Sequence, residues 1–285
     1  MPSLKEIKGR IASVQSTLKI TSAMKLVASA KLRKSQQAIE GMRPYEQQLH
    51  GILSDLLSME KADAGDYARQ TEVKRVAVVA IASNSSLCGG FNINAVRTVE
   101  ALLRDYPEAE VVVFSLGRKM AEAMKKAGYP SPVDLNVLVE HPAYGAVANL
   151  AGILIDGFLS GRYDRVELVY NHFVSTAKQV PTREVFLPVA PLAAAEPGTE
   201  SATDFIVEPS VSEQLALLLP QTLKFKLYTA LLDSVASEQA ARTVAMQTAT
   251  DNGNELLHGL TLQYNKSRQQ KITSEILDLA GGALQ

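Results

Sequence analysis

The chain has a single cysteine, Cys88, which excludes an internal disulfide and fits a reducing compartment. It also lacks a long apolar run. The longest, around Val147 to Leu159, is broken by Asp156 and Gly157, so no segment reads as a bilayer span and any membrane association is expected to be peripheral. The four histidines, His50, His141, His172 and His258, are scattered without metal-ligand spacing, and no pair of acids marks a hydrolase. Charge of one sign is not in excess: the formal net charge is −1. Glycine and proline are used at ordinary levels, which argues against disorder and collagen-like structure. The apolar heptads begin at Leu4, so no leader segment is expected. What remains is 285 residues, 46% hydrophobic and 21% charged, enough for one core with extensions.

Proline is scarcest where it is most informative. None follows Pro220, and residues 210–285 read as one helix with Gly253 and Gly259 as its only glycines before the Gly281–Gly282 end. At 1.5 Å per residue such a helix is on the order of 110 Å long and needs another helix or a partner to hold it. The other helix stands at the N-terminus. Leu4, Ile11, Leu18, Lys25, Leu32 and Ile39 repeat every seven residues, and Ile7, Val14, Thr21, Ala28, Ser35 and Met42 do the same. This is the seam of a coiled coil. Pro44 is expected to kink or interrupt it. The small residues of the seam find a counterpart in Ala236, Ala240, Ala241, Ala245 and Ala249. An antiparallel pairing that sets Pro44 near Pro220 puts Ala28 near Ala236, Lys25 near Gln239 and Met1 beside Gln263, leaving the last twenty or so residues as a single-helix tip.

The neutral total conceals a basic N-terminus. Lys5, Lys8, Arg10, Lys19, Lys25, Lys31, Arg33 and Lys34 face one acid, Glu6, and the tip adds Lys266, Arg268 and Lys271. Such a run can be a solvated face, or it can meet an acidic protein surface or a nucleic-acid backbone. Without interleaved aromatic residues, stacking on single strands is disfavoured.

Between the long helices the pattern changes. Val73–Ala82 is an apolar, β-branched run that reads as a buried strand. The loop Ser83–Gly90 leads to a helix at 92–105, a strand at 111–115 and a helix at 117–127. Val133–Val139 reads as a third strand, followed by a helix at 144–160 and strands at 166–174 and 180–187. Alternating strands and helices predict an α/β domain with a mostly parallel, Rossmann-like sheet. The expected organisation is a coiled-coil helix over 1–58, the α/β domain over 72–190, a linker over 191–209 rich in Ala, Pro and Gly, and the second coiled-coil helix over 210–285. The fold class is therefore α/β with a long antiparallel coiled coil.

A loop after a strand is where open α/β sheets often bind phosphate. Yet Ser83–Gly90 matches neither G-x-G-x-x-G nor G-x-x-x-x-G-K-[ST], and it has no lysine to reach a phosphate. Cys88 lies near a helix N-terminus, which could activate its thiol, but a buried cysteine packing a tight turn is the plainer reading. No cofactor and no catalytic residue is expected.

Three segments carry a family resemblance. Ile20-Thr-Ser-Ala-Met-Lys-Leu-Val-Ala-Ser-Ala-Lys-Leu-Arg-Lys34 resembles the N-terminal signature of the gamma subunit of F-type ATP synthases. Ala241-Arg-Thr-Val-Ala-Met-Gln-Thr-Ala-Thr-Asp-Asn-Gly-Asn254 and Leu262-Gln-Tyr-Asn-Lys-Ser-Arg-Gln-Gln-Lys-Ile-Thr-Ser-Glu-Ile276 are similar to its C-terminal ones. The resemblance covers the whole chain. It implies a non-catalytic rotor shaft inside a ring of three alpha and three beta subunits, its foot on a membrane c-ring and an epsilon subunit beside it. It implies a peripheral place on the cytoplasmic face of a bacterial cell membrane and excludes nucleic acid as partner; a basic nucleic-acid-binding coiled coil is the alternative. Met24 and Lys25 match residues facing an acidic loop of the beta subunits. Arg242, Arg268, Gln269, Thr273 and Glu275 match positions that meet the catalytic ring, and Ile276, Leu277, Leu279 and Leu284 belong to an apolar end in a bearing sleeve. One departure stands out. Where the family's loop commonly reads Ser-Asp-basic-Gly-Leu-Cys-Gly-Gly, this chain has Asn84, Ser85 and Ser86 in the middle. The cysteine pair of the chloroplast form is also absent.

Overall fold

The computed structural model describes residues 3–59, 65–189, 207–208 and 210–282. Strand β1 (Arg75–Ile81) is buried on both faces beyond its first residue, as an unbroken apolar run requires. Parallel strands β2 (Glu110–Leu116) and β3 (Arg165–Phe173) flank it, and β4 (Gln179–Leu187) adds antiparallel to β3. The order is β2-β1-β3-β4. Strand alternation sends Ala77, Val79 and Ile81 to one face, packed with Val147, Leu150, Leu154 and Phe158 of α5 (Tyr144–Leu159) and with Leu223, Leu227 and Leu231 of α6 (Val211–Gly282). Val76, Val78 and Ala80 go to the other, under Ala95, Val99 and Leu102 of α2 (Phe91–Arg104) and Met120 and Met124 of α3 (Arg118–Lys126). Each fully buried large side chain contributes about 1.5–3 kcal/mol.

The expected strand at Val133–Val139 is instead a turn and a short helix, α4 (Asn136–Glu140). Its valines suggested alternation, but Asp134 Oδ1 accepts the Asn136 amide at 3.0 Å and closes a turn. Burial then follows the helical period: Leu138 and Val139 are buried while Val133 and Val137 are 51% and 67% exposed. Among the described residues the sheet accordingly has four strands.

A buried carboxylate pins β3 to β4. Glu167 is fully buried; Arg183 of β4, Tyr106 after α2 and Arg165 all donate to it, and Arg183 also reaches Asp105. Burial pushes the Glu167 carboxyl up, but Arg183, Tyr106 and Arg165 outweigh it and hold the group below its ordinary value. Asp164 behaves alike. Burial raises it, but the Arg75 guanidinium and the amides of Lys74 and Arg75 hold it low.

The long helices are α1 (Leu4–Met59) and α6. Neither is interrupted by its internal proline, Pro44 or Pro220, so of the kink or interruption expected at Pro44 the interruption does not occur. The chain divides into two compact units: residues up to Ser29 with those from Arg242 on, and Ala30–Ala241. In the first unit the α1 seam behaves as its heptads demand. Ile7, Thr21 and Ala28 are buried and Leu4, Ile11, Val14, Leu18 and Lys25 half-buried, while the residues around them are mostly exposed. The partner seam on α6 runs through Met246, Thr250, Gly253, Leu257, Leu260, Tyr264 and Ser267.

The pairing is antiparallel, but its register differs from the one counted from the prolines. Thr21 Oγ1 meets Thr250 Oγ1 at 2.9 Å, and Leu18 packs on Gly253. That places Lys25 level with Met246 instead of Gln239, a slip of one heptad. In the second unit Leu32 packs with Ala236 and Ala240, and the ring of Tyr45 meets that of Phe225 at a 60° tilt with centroids 4.9 Å apart, so Pro44 is not opposite Pro220. A repeat of seven looks the same after a shift of seven; only the particular contacts choose between the two. The linker expected at 191–209 lies outside the described residues except for Val207 and Glu208, as do Met1 and Leu284.

Candidate partner-contact surface of the coiled coil

In the first unit, helix geometry sorts the expected contact residues into two groups. Met24 and Lys25 are half-buried, Lys25 on the seam itself. Arg242 is buried, at 8% exposure, and engaged within the chain. Arg268, Gln269, Thr273 and Glu275 are all exposed. Thr273 Oγ1 donates to the Gln269 carbonyl at 2.9 Å, and Glu275 has Lys271 3.7 Å away across one helical turn. Such an exposed pair contributes little to stability, which leaves both charges open to a partner. Ile276 and Leu277 are 59% and 65% exposed; the side chain of Leu279 lies outside the described ones.

The tip begins where the seam ends. From Arg268 to Leu277 every residue is exposed, whereas Tyr264 and Ser267 are still half-buried. The single-helix segment therefore starts a few residues later than the proline count implied.

Some surface residues went unnoticed in the sequence. Ile20, Leu26 and Val27 are 59%, 70% and 57% exposed on a helix otherwise studded with cations. Leu256, Leu262 and Ile272 repeat the pattern on α6. The signal was available: these side chains occupy outward heptad positions, where a two-stranded coil exposed to water carries polar residues. Cations mixed with exposed aliphatic side chains suit a partner wall that is acidic and apolar by turns.

The loop Ser83–Gly90 is spent on its own architecture. Asn92 accepts from the Ser83 amide (3.0 Å) and donates to Cys88 Sγ (3.2 Å), and Cys88 is buried. Asn84 Oδ1 accepts the Arg118 amide (2.8 Å), while its Nδ2 donates to the Asn136 carbonyl (2.9 Å) and Glu140 Oε1 (3.0 Å). The Arg118 guanidinium donates twice to the Asn84 carbonyl. Among the described residues no group of His, Cys, Asp and Glu gathers as for a metal ion, and no helix is long and apolar enough to cross a membrane.

Comparison with known proteins follows the same line. A family model described as ATP synthase matches residues 3–284. ATP synthase gamma chains of Phocaeicola vulgatus and Bacteroides thetaiotaomicron are 51% and 47% identical, each over the full length of both chains. A chain from the central stalk and c-ring structure of Tetrahymena thermophila mitochondrial ATP synthase is 25% identical with a TM-score of 0.58, over 81% of this chain and 99% of that one. A chain from the OSCP/F1/c-ring structure of the Euglena gracilis enzyme in rotational state 3 has a TM-score of 0.65 over 99% and 93%; at 18% identity it speaks for the fold alone.

Proposed function

Because the chain belongs to the ATP synthase gamma chain family, we propose that it works as the central rotor shaft of such a complex, turning inside a ring of three alpha and three beta subunits, with the c-ring at its foot and the epsilon subunit beside it. The observation that carries this reading is the outward surface of the coiled coil, where Ile20, Leu26, Val27 and Leu262 stay exposed beside a run of cations. A coil meant for water would not hold them there.

The mechanism is differential binding. A shaft whose faces differ meets three identical catalytic subunits in three ways, and each orientation favours a different conformation in each neighbour. Rotation moves those preferences around the ring, and ATP synthesis or hydrolysis follows from the shifted equilibria. The subunit itself does no chemistry. Met24 and Lys25 face an acidic loop of a beta subunit, with the basic helix supplying attraction. Arg268, Gln269, Thr273 and Glu275 meet the ring, and Ile276, Leu277, Leu279 and Leu284 run in an apolar sleeve. Arg242 meets the ring as well, from a side chain only 8% exposed in the chain alone. The complex works on protons at the cytoplasmic face of a bacterial cell membrane, this subunit being peripheral.

The test is native mass spectrometry of the complex recovered from its source membranes through a tag on this chain. One copy with three alpha and three beta subunits, and ATP hydrolysis in the eluate, is expected. Recovery of the chain alone or with nucleic acid would overturn the reading.

A further inference from the structure

Strand alternation calls for a third apolar residue on the face of β2 that lies under α2 and α3. Val111 and Val113 fill that row, and the next position is Ser115. Its side chain is 1% exposed, yet its hydroxyl has no hydrogen-bond partner among the described residues. A buried polar atom left unpaired costs free energy and needs a reason. Ser131 is close but already committed: its Oγ accepts the Ser115 amide at 3.2 Å and donates to the Val133 carbonyl at 2.8 Å. Ser115 borders an open cavity of about 310 Å³ at the carboxyl end of β2. Ala121 and Lys125 of α3 form part of its wall, and the turn over 130–136 forms the rest. A second buried atom without a partner lies in that turn, Asn136 Oδ1. Two unpaired atoms from separate segments thus share one cavity.

We propose that this cavity binds a small zwitterion, an α-amino acid with an apolar side chain. Asn136 Oδ1 can only accept, so the ligand must bring a donor, and the Asp134 carboxylate in the same wall selects an ammonium. Asp134 Oδ1 accepts the Asn136 amide at 3.0 Å, which ties the two acceptors into one turn. The exposed Lys125 ammonium and the Ser115 hydroxyl, both donors, take the ligand's carboxylate. Pro130, Pro132 and Val133 give its side chain an apolar wall. The volume stands at the low end for small-molecule clefts and suits one amino acid rather than a nucleotide. A bound ligand bridges β2, α3 and the turn before α4, and gives the buried hydroxyl the partner it lacks. Every wall comes from the α/β unit of this one chain, so occupancy needs no ring subunit.

Leucine is the probe, with isoamylamine and isocaproate as analogues that each lack one charged end. Leucine in roughly tenfold excess over its dissociation constant should raise the unfolding midpoint of the full chain by a few degrees. Calorimetric titration should find both analogues weaker by about tenfold or more. Ser115→Ala should weaken leucine by about tenfold. Without ligand, the same variant should unfold at or above the wild-type midpoint, because the atom removed had no partner. Lys125→Met should weaken leucine and leave isoamylamine unaffected. Ala121→Leu, which fills the cavity from α3, should abolish binding. The site is overturned if leucine neither binds nor shifts the midpoint, as when water alone fills the cavity. It is overturned equally if Ser115→Ala holds leucine as tightly as the wild type. Equal affinity for leucine and both analogues would overturn the zwitterion assignment.

Discussion

Leu18 lies so close to Gly253 that a β-carbon on the glycine would sit 2.7 Å from Leu18 Cδ2 and 3.3 Å from its Cγ. This contact, with the hydroxyl pair of Thr21 and Thr250 one turn away, fixes the register of the coil. Gly259, two turns further along α6, has nothing within 4 Å of its would-be β-carbon. The two glycines should therefore respond oppositely. Gly253→Val is expected to destabilise the coil by about 1–3 kcal/mol through overpacking. Gly259→Ala should stabilise it by up to about 1 kcal/mol through helix propensity. Thermal unfolding followed by circular dichroism reads both, and a stabilised Gly253→Val would contradict the packing.

The Glu167 cluster gives a second expectation. Arg183→Met leaves the buried carboxylate short of its main partner and should cost roughly 3 kcal/mol in the stability of the α/β unit. Glu167→Met combined with Arg183→Met should recover most of that, because no charge is then stranded. Denaturant titration of the two variants decides; equal losses would mean the cluster contributes something other than charge compensation.

Glu167 and Asp164 also set an acid limit. Both carboxyls are held below their ordinary values in the folded chain, so the unfolded chain takes up protons first as pH falls. Their contribution is complete above the unfolded values near pH 4 and is lost as pH drops through the folded ones. Stability measured from pH 6 downward should hold to about pH 5 and then decline. Asp164→Asn should flatten part of that decline and lower stability at pH 7 by about 1–3 kcal/mol.

Asn84 tests the departure in the loop. An aspartate there would lose the amide donation to the Asn136 carbonyl and set a carboxylate against Glu140. Asn84→Asp should cost about 1–2 kcal/mol, and Glu140→Gln in the same chain should return a good part of it. A double-mutant cycle with no coupling between the two sites would show that the contact is not felt.

How much of this was legible beforehand varies by element. The seam from Leu4 to Ala28 could be read off because one period governs every position, and burial follows it residue by residue. The buried strand β1 was equally plain from its unbroken apolar run. The register of the coil was not, since a heptad repeat is blind to slips of its own length, and two prolines that lie inside helices are poor markers. The turn at Asp134 was hidden by valines on either side. The Glu167 cluster joins β3, β4 and the end of α2, residues that no sequence window holds together. The contact surface was half visible: cations stood out, while Leu26 and Val27 passed as ordinary coil residues until their exposure was known.

The bare stretch from Arg268 to Leu277 has a consequence for how the machine is put together. These ten exposed residues continue a helix of 72 residues, so their winding propagates from the paired turns before them and needs no nucleus of its own. Only the last turns, where no further residue extends the ladder, are free to fray. The spindle is thus turned before any housing meets it, and a sleeve that closed on it would have only the outermost turns left to finish.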